Sequence, residues 1–168
     1  IFGCMEENTS TDIERNGLGN VRFLIQGSRE VVVVLYDDLV AFAQTKSTLA
    51  RGEKEEPIEY GKRIMHAVQK EDLEGTNALK FYHGVHSQGE ALITPMGCFI
   101  SERTLPFLPD PDFKKNARII GWRTSFLEGK QSVGFRSFSN MSKDQQGVSG
   151  DDDRTTKFWN AVVTSLQQ

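Results

Sequence analysis

His83, His86 and Glu90 fall within one short stretch, His83-Gly84-Val85-His86-Ser87-Gln88-Gly89-Glu90. Two imidazoles and a carboxylate are the donor set of a facial triad that leaves positions open on a non-haem iron or similar divalent metal. In a straight strand, residues three apart point to opposite faces, so Gly84 has to turn the chain before both rings can converge. Cys98 follows closely, and its thiolate would be a nucleophile if His83 or His86 served as base. Its neighbours, Met96-Gly97-Cys98-Phe99-Ile100, form an apolar strand, where a cysteine acts as a small core residue. No side chain is therefore assigned a catalytic role.

The spacing resembles the cupin family, whose first motif has His-x-His, then a Glu after three or four residues and a Gly after six more. Glu90 and Gly97 keep that interval, and the two histidines stand one residue further apart. The second cupin motif runs Gly, five residues, Pro-x-Gly, two residues, His. Gly89, Pro95 and Gly97 match its first part, and Ile100 stands in the place of the His. The resemblance covers about 20 of the 168 residues. It implies a metal-dependent β-barrel enzyme holding a divalent ion on His83, His86 and Glu90. What the chain shares with the second motif is small-residue punctuation, which is a sign of strand–turn–strand geometry. The plainer reading is a pair of polar loop histidines beside a β-turn, with no cofactor.

A second constellation runs from Phe113 to Arg136. Lys114, Lys115, Arg118, Arg123, Lys130 and Arg136 are six cations against the single anion Glu128, a net charge of +5. Trp122, Phe126 and Phe135 interleave with them. Such a two-stranded surface could follow a phosphate backbone and stack bases, making nucleic acid a candidate partner. Alternation places Trp122 and Phe126 on one face and Arg123 on the other, so the plainer reading has rings in the core and cations in solvent.

The elements that must position these residues can be read from pattern and punctuation. Residues 1–20 are polar with Gly17 and Gly19, an N-terminal arm or loop. Val21–Gln26 and Glu30–Tyr36 read as strands joined at Gly27-Ser28-Arg29 into a hairpin. Four consecutive valines do not alternate, so the second strand is expected to be buried on both faces. Asp37 or Asp38 caps a helix carrying Leu39, Phe42, Ala43 and Leu49. Pro57 opens another, with Ile58, Ile64, Met65 and Val68 as its apolar stripe. Residues 78–82, 90–94 and 98–103 read as short strands. The proline-rich loop around Phe107 follows, then a strand over 118–127 and its partner over 133–138. A polar loop near 139–152 leads to a last helix, capped by Asp152 or Asp153, with Phe158, Trp159, Val162 and Leu166 on its stripe.

The fold expected is α+β: a single domain over 21–168, with a mainly antiparallel sheet and about three helices. The net charge of −3 gives no bulk steering toward nucleic acid or membrane. The run VVVVLY ends at Asp37 and is far short of the roughly 20 residues of a membrane helix. Two cysteines are too few for a disulfide framework, which points to a reducing, intracellular compartment. The chain opens on Ile1 with no signal-peptide pattern, so the expectation is a piece of a longer protein. Eleven phenylalanines are the one compositional excess. Together with the proline loops they point to a non-catalytic structural or protein-interaction module in a larger assembly. Phe107, Trp122 and Trp159 are the candidate contacts with a protein partner or a second copy.

Overall fold

The computed structural model describes residues 10–13, 17–75, 78–105, 120–126, 128–129 and 131–149, together with 157, 161 and 164. Among the described residues, seven strands form two antiparallel sheets: β1 (Ser10–Ile13), β2 (Gly19–Gln26), β3 (Ser28–Leu35), β4 (Tyr82–Ser87), β5 (Ala91–Thr94), β6 (Cys98–Thr104) and β7 (Ile120–Phe126). One sheet has the order β1-β6-β3-β4 and the other β5-β2-β7. The helices α1 (Tyr36–Gln44), α2 (Pro57–Ala67) and α3 (Val133–Ser149) pack on the larger sheet. This is the α+β fold expected. The 1–20 arm is corrected by β1, which pairs with β6, and by β2, which starts at Gly19.

The valine run behaves as its lack of alternation predicts, since every residue from Val31 to Leu35 is buried. Val32 and Val34 join Phe99 in the core beneath the helices. Val31, Val33 and Leu35 form a second core with Cys98 and Ile100, against which Leu92 of the smaller sheet packs. β3 is thus a central strand with a layer on each side.

The expected hairpin is not formed. Only Gly27 separates β2 from β3, fewer residues than a reversal needs, and it takes φ 92°. The chain bends there from one sheet into the other. β4 and β5 bend beside it around Gly89, at φ 83°. Pairing of β3 with β4, from Val33 opposite Tyr82 to Ser28 opposite Ser87, resumes one residue out of step between β2 and β5, from Phe23 opposite Ala91 to Asn20 opposite Thr94. Leu24 bridges the step, donating to the Glu90 carbonyl at 3.1 Å and accepting from Gly89 N–H at 2.7 Å. β6 lies along the other side of β3 and β7 along the other side of β2.

The helices also differ from expectation in places. α1 begins one residue before Asp37, and its N-cap Leu35 makes no side-chain bond. Asp37 and Asp38 sit in its first turn, where their charge favours the helix dipole. Leu49 belongs to a separate 3₁₀ turn, Ser47–Leu49. Pro57 opens α2 as expected. β4 starts at Tyr82, so residues 78–81 are not strand.

The largest correction is at Val133–Phe138, expected as a strand, and at the polar loop from 139. Both belong to α3, a helix of 17 residues. Ser132 Oγ accepts the Phe135 N–H at 2.9 Å as an N-cap, and Phe135, Phe138 and Met141 recur every three residues on the buried side. Of the last expected helix, Lys157, Ala161 and Thr164 are helical; its cap and apolar stripe lie outside the described residues. Among the described residues no helix is long and apolar enough to cross a membrane.

Gly61 shows why α2 tolerates a glycine in its interior. A Cβ added there would run into the ring of Phe99, so the missing side chain sets how closely helix and sheet approach. Helix propensity alone predicts that Gly61→Ala stabilises by about 1 kcal/mol. The expected outcome is the opposite, a loss of about 1–3 kcal/mol in urea unfolding, because the core must shift to admit the methyl group. A raised unfolding midpoint would show that the contact does not constrain the packing.

Candidate functional site

β4 is regular through both histidines, and the turn at Gln88–Gly89 comes after them. Alternation therefore separates the rings. His83 turns toward Glu30 on β3, with Nε2 2.9 Å from Oε1. Glu30 also pairs with Arg103 of β6 at 2.5 Å. The hydrogen bond from His83, with the positive charge of Arg103, holds the Glu30 carboxyl below its ordinary range although burial opposes this.

His86 points to the other face and is only 6% exposed. Its Nε2 donates to the Glu90 carbonyl at 3.0 Å. The Glu90 carboxylate is turned to the Ser87 N–H, at 2.8 Å. The three candidate ligands thus have three separate commitments, and the described residues contain no group of three His, Cys, Asp or Glu placed to hold a metal ion. Gly89, Pro95 and Gly97 do act as bends, with Gly97 at φ 62° between β5 and β6. Cys98 is 1% exposed, and burial pushes its thiol up to about 12, so it is a protonated core group at neutral pH.

The basic stretch does not form a two-stranded surface, because its second half is helical. Arg123 is exposed on β7 and Arg136 is exposed on α3. Lys114, Lys115, Arg118 and Lys130 lie outside the described residues, as do Phe107 and Trp159. Trp122 is not in the core; it is 51% exposed.

Trp122 belongs to a surface that the sequence reading did not assemble. β2 pairs Phe23 with Ala91 on one side and Trp122 on the other, and Val21 with Ile93 and Thr124. Residues opposite each other share a face, so these side chains make one outer face of the smaller sheet. Gly19 and Phe126 extend it at one end, where the Phe126 ring lies over Gly19. Ile25 is exposed beyond the other end, where the register with β7 shifts between Leu24 and Gln26. None of these residues is charged. Phe23 and Trp122 stack with centroids 6.0 Å apart, Ile93 is 66% exposed and Ile25 49%.

The inner face has the opposite character. Asn20, Arg22 and Leu24 turn toward the larger sheet, and Arg22 reaches Glu102 of β6. The second oxygen of Glu102 accepts from Arg29 at 2.9 Å. The side chains of Arg22 and Glu102 are each 14% exposed, so the contact sits mostly out of water between the sheets. The alternation in Val21-Arg22-Phe23-Leu24-Ile25 was the available signal. It was ambiguous because the charged residue, not the apolar ones, points inward.

Two outcomes follow. In Glu102→Ala the guanidinium groups lose their shared carboxylate, and unfolding stability is expected to fall by about 3–5 kcal/mol, far more than for an exposed ion pair. A loss under 1 kcal/mol in urea titration would show that the sheets do not depend on it. Glu30 contributes stability above the ordinary carboxyl value of 4.5, and that contribution is lost as pH falls through its lowered folded value. The stability difference between the parent chain and Glu30→Gln should therefore narrow as pH falls below about 4.5. A difference that persists unchanged at pH 3 would contradict the assignment.

No protein-family model matches the chain, and a search of curated proteins finds no match.

Proposed function

We propose that the chain is a non-catalytic protein-interaction module, a structural part of a larger assembly, which docks through the outer face of the β5-β2-β7 sheet. The observation that supports this is the uncharged character of that face combined with its exposure. Trp122 and Ile93 stand more than half in water beside Phe23. Contiguous apolar surface with an aromatic centre is the composition of an interface core, where charged residues are depleted and Trp is enriched. A sheet normally packs a second layer about 10 Å from such a face. The partner that fits is a protein presenting an uncharged helix or sheet face of its own. The enzyme and nucleic-acid alternatives have no comparable support in the described residues.

A photo-crosslinking amino acid at Ile93 is expected to couple the chain to one protein in its native extract. Trp122→Lys should abolish that adduct while the chain remains folded, with a stability loss of about 1–2 kcal/mol for the half-buried, stacked ring. Absence of an adduct, or an adduct indifferent to Trp122→Lys, would overturn the proposal.

A further inference from the structure

β4 closes one end of the larger sheet, with β3 on one side and no strand among the described residues on the other. Which of its backbone groups face outward follows from the hydrogen bonds of β3. At one end Leu105 N–H donates to the Ser28 carbonyl at 2.9 Å, and at the other Tyr36 N–H donates to the Gly97 carbonyl at 2.9 Å. Bonded residues alternate along an antiparallel pair, so the even-numbered residues of β3 bond to β6 and the odd-numbered ones to β4. Val33, Val31 and Arg29 thus engage Tyr82, Gly84 and His86. His83, Val85 and Ser87 turn their N–H and C=O groups away from the sheet. Ser87 bears this out: its N–H donates to the Glu90 carboxylate at 2.8 Å, and its carbonyl accepts from Glu90 N–H at 3.1 Å. The outward backbone groups of His83 and Val85 have no partner among the described residues.

A row of outward N–H and C=O groups two residues apart fits one kind of ligand, another extended backbone. Folded chains guard such edges with Lys, Pro, a bulge, an inward charge or a very short strand. β1 and β5, at two other sheet ends, have four residues each. β4 has six, and it pairs with β3 without a break in register. Tyr82-His83-Gly84-Val85-His86-Ser87 contains no Asp, Glu, Lys, Arg or Pro. Tyr82 is 67% exposed and Val85 53%, so the edge is open to solvent.

We propose that this edge takes a second copy of the chain, β4 against β4 in antiparallel array, so that two four-stranded sheets become one. A contact between identical copies must be its own complement. The free groups meet that condition, because His83 and Val85 lie symmetrically about Gly84. A twofold axis at Gly84 sets His83 opposite Val85 of the second copy and Val85 opposite the second copy's His83, and each pair exchanges both bonds. Gly84 then faces Gly84 of the second copy at a non-bonded position, where the backbones come closest, about 4.5 Å from Cα to Cα. A side chain is missing where the approach is tightest. Tyr82 falls opposite His86 of the second copy, so no Asp, Glu, Lys or Arg meets another between the paired strands. The outer face of the smaller sheet takes no part, and the pairing stands whether or not that face docks a partner.

Sedimentation equilibrium of the intact chain is expected to give a mass that rises from one chain toward two over about 1–500 µM, as for a small, weak interface. Val85→Pro removes one outward N–H per copy and leaves the β3–β4 bonds in place, so it should weaken the dimer at least about tenfold. Val85→Thr keeps the N–H and should dimerise like the parent. The register is read by Gly84→Cys in a Cys4→Ser background. A Cβ at position 84 meets nothing within 4 Å in its own chain, and across the axis the two thiols lie within disulfide reach. Mild oxidation should link Gly84→Cys into a covalent dimer, whereas Ser87→Cys, far from the axis, stays unlinked. Trp122→Lys should leave the dimer unchanged. A mass of one chain throughout, a dimer that Val85→Pro leaves as tight, no link in Gly84→Cys, or a dimer lost with Trp122→Lys would each overturn the pairing.

Discussion

The Glu102 carboxylate, shared between Arg22 on one sheet and Arg29 on the other, sets which way the smaller sheet faces. Taking these charges out of water is costly, and only short charge-assisted bonds in good geometry offset that cost. Because side chains alternate strictly along a strand, one inward arginine decides every other position. With Arg22 inside, Val21 and Phe23 must be outside, and their partners on β5 and β7 go with them. A slip of one residue would send the arginine to solvent and the apolar set inward. The chain thus holds an ion cluster where an apolar core was available, and leaves apolar side chains in water.

A second constraint is the bend. β2 and β3 are nearly one strand, and β4 with β5 is nearly its partner, with Gly27 and Gly89 at the fold line. Beyond it the two sheets face each other, closed at one end by Leu35, Cys98 and Ile100 and open at the other. Gly97 ties the helical layer to this arrangement. Its carbonyl accepts from Tyr36 N–H at 2.9 Å and from Ser137 Oγ at 3.2 Å, and a Cβ there would strike the backbone of Phe138. Tyr36 Oη then donates to Asp144 at 2.5 Å, joining α1 to α3.

What was legible in the sequence was local. Four valines without alternation announced a doubly covered strand, Pro57 announced a helix start, and three-residue spacing announced that His83 and His86 would part. What was not legible depends on distant partners. Gly27-Ser28-Arg29 is a turn signal whether the chain reverses or bends, and only the positions of β5 and β7 decide between them. The stretch from Val133 contains apolar residues at intervals of both two and three. Its helical character rests on the Ser132 cap and on burial of Phe138 and Met141 beneath the sheet's other face. The outer face of the smaller sheet was not legible for the same reason. Rare residue types drew attention to His83 and Glu90, whereas the outer face consists of common residues brought together by pairing.

The energetics of that face explain why it reads as a contact surface. An isoleucine is worth about 1.5–3 kcal/mol when fully buried. Ile93, at 66% exposure, realises little of this in the isolated chain, and Trp122 only about half of what its ring offers. The cores lie on the two faces of β3, so these side chains add only part of what they could to the stability of the fold. The unrealised burial becomes available only when another surface covers the sheet. A charged residue at Ile93 would cost the free chain little and would remove that gain, which is the physical basis of the proposed association.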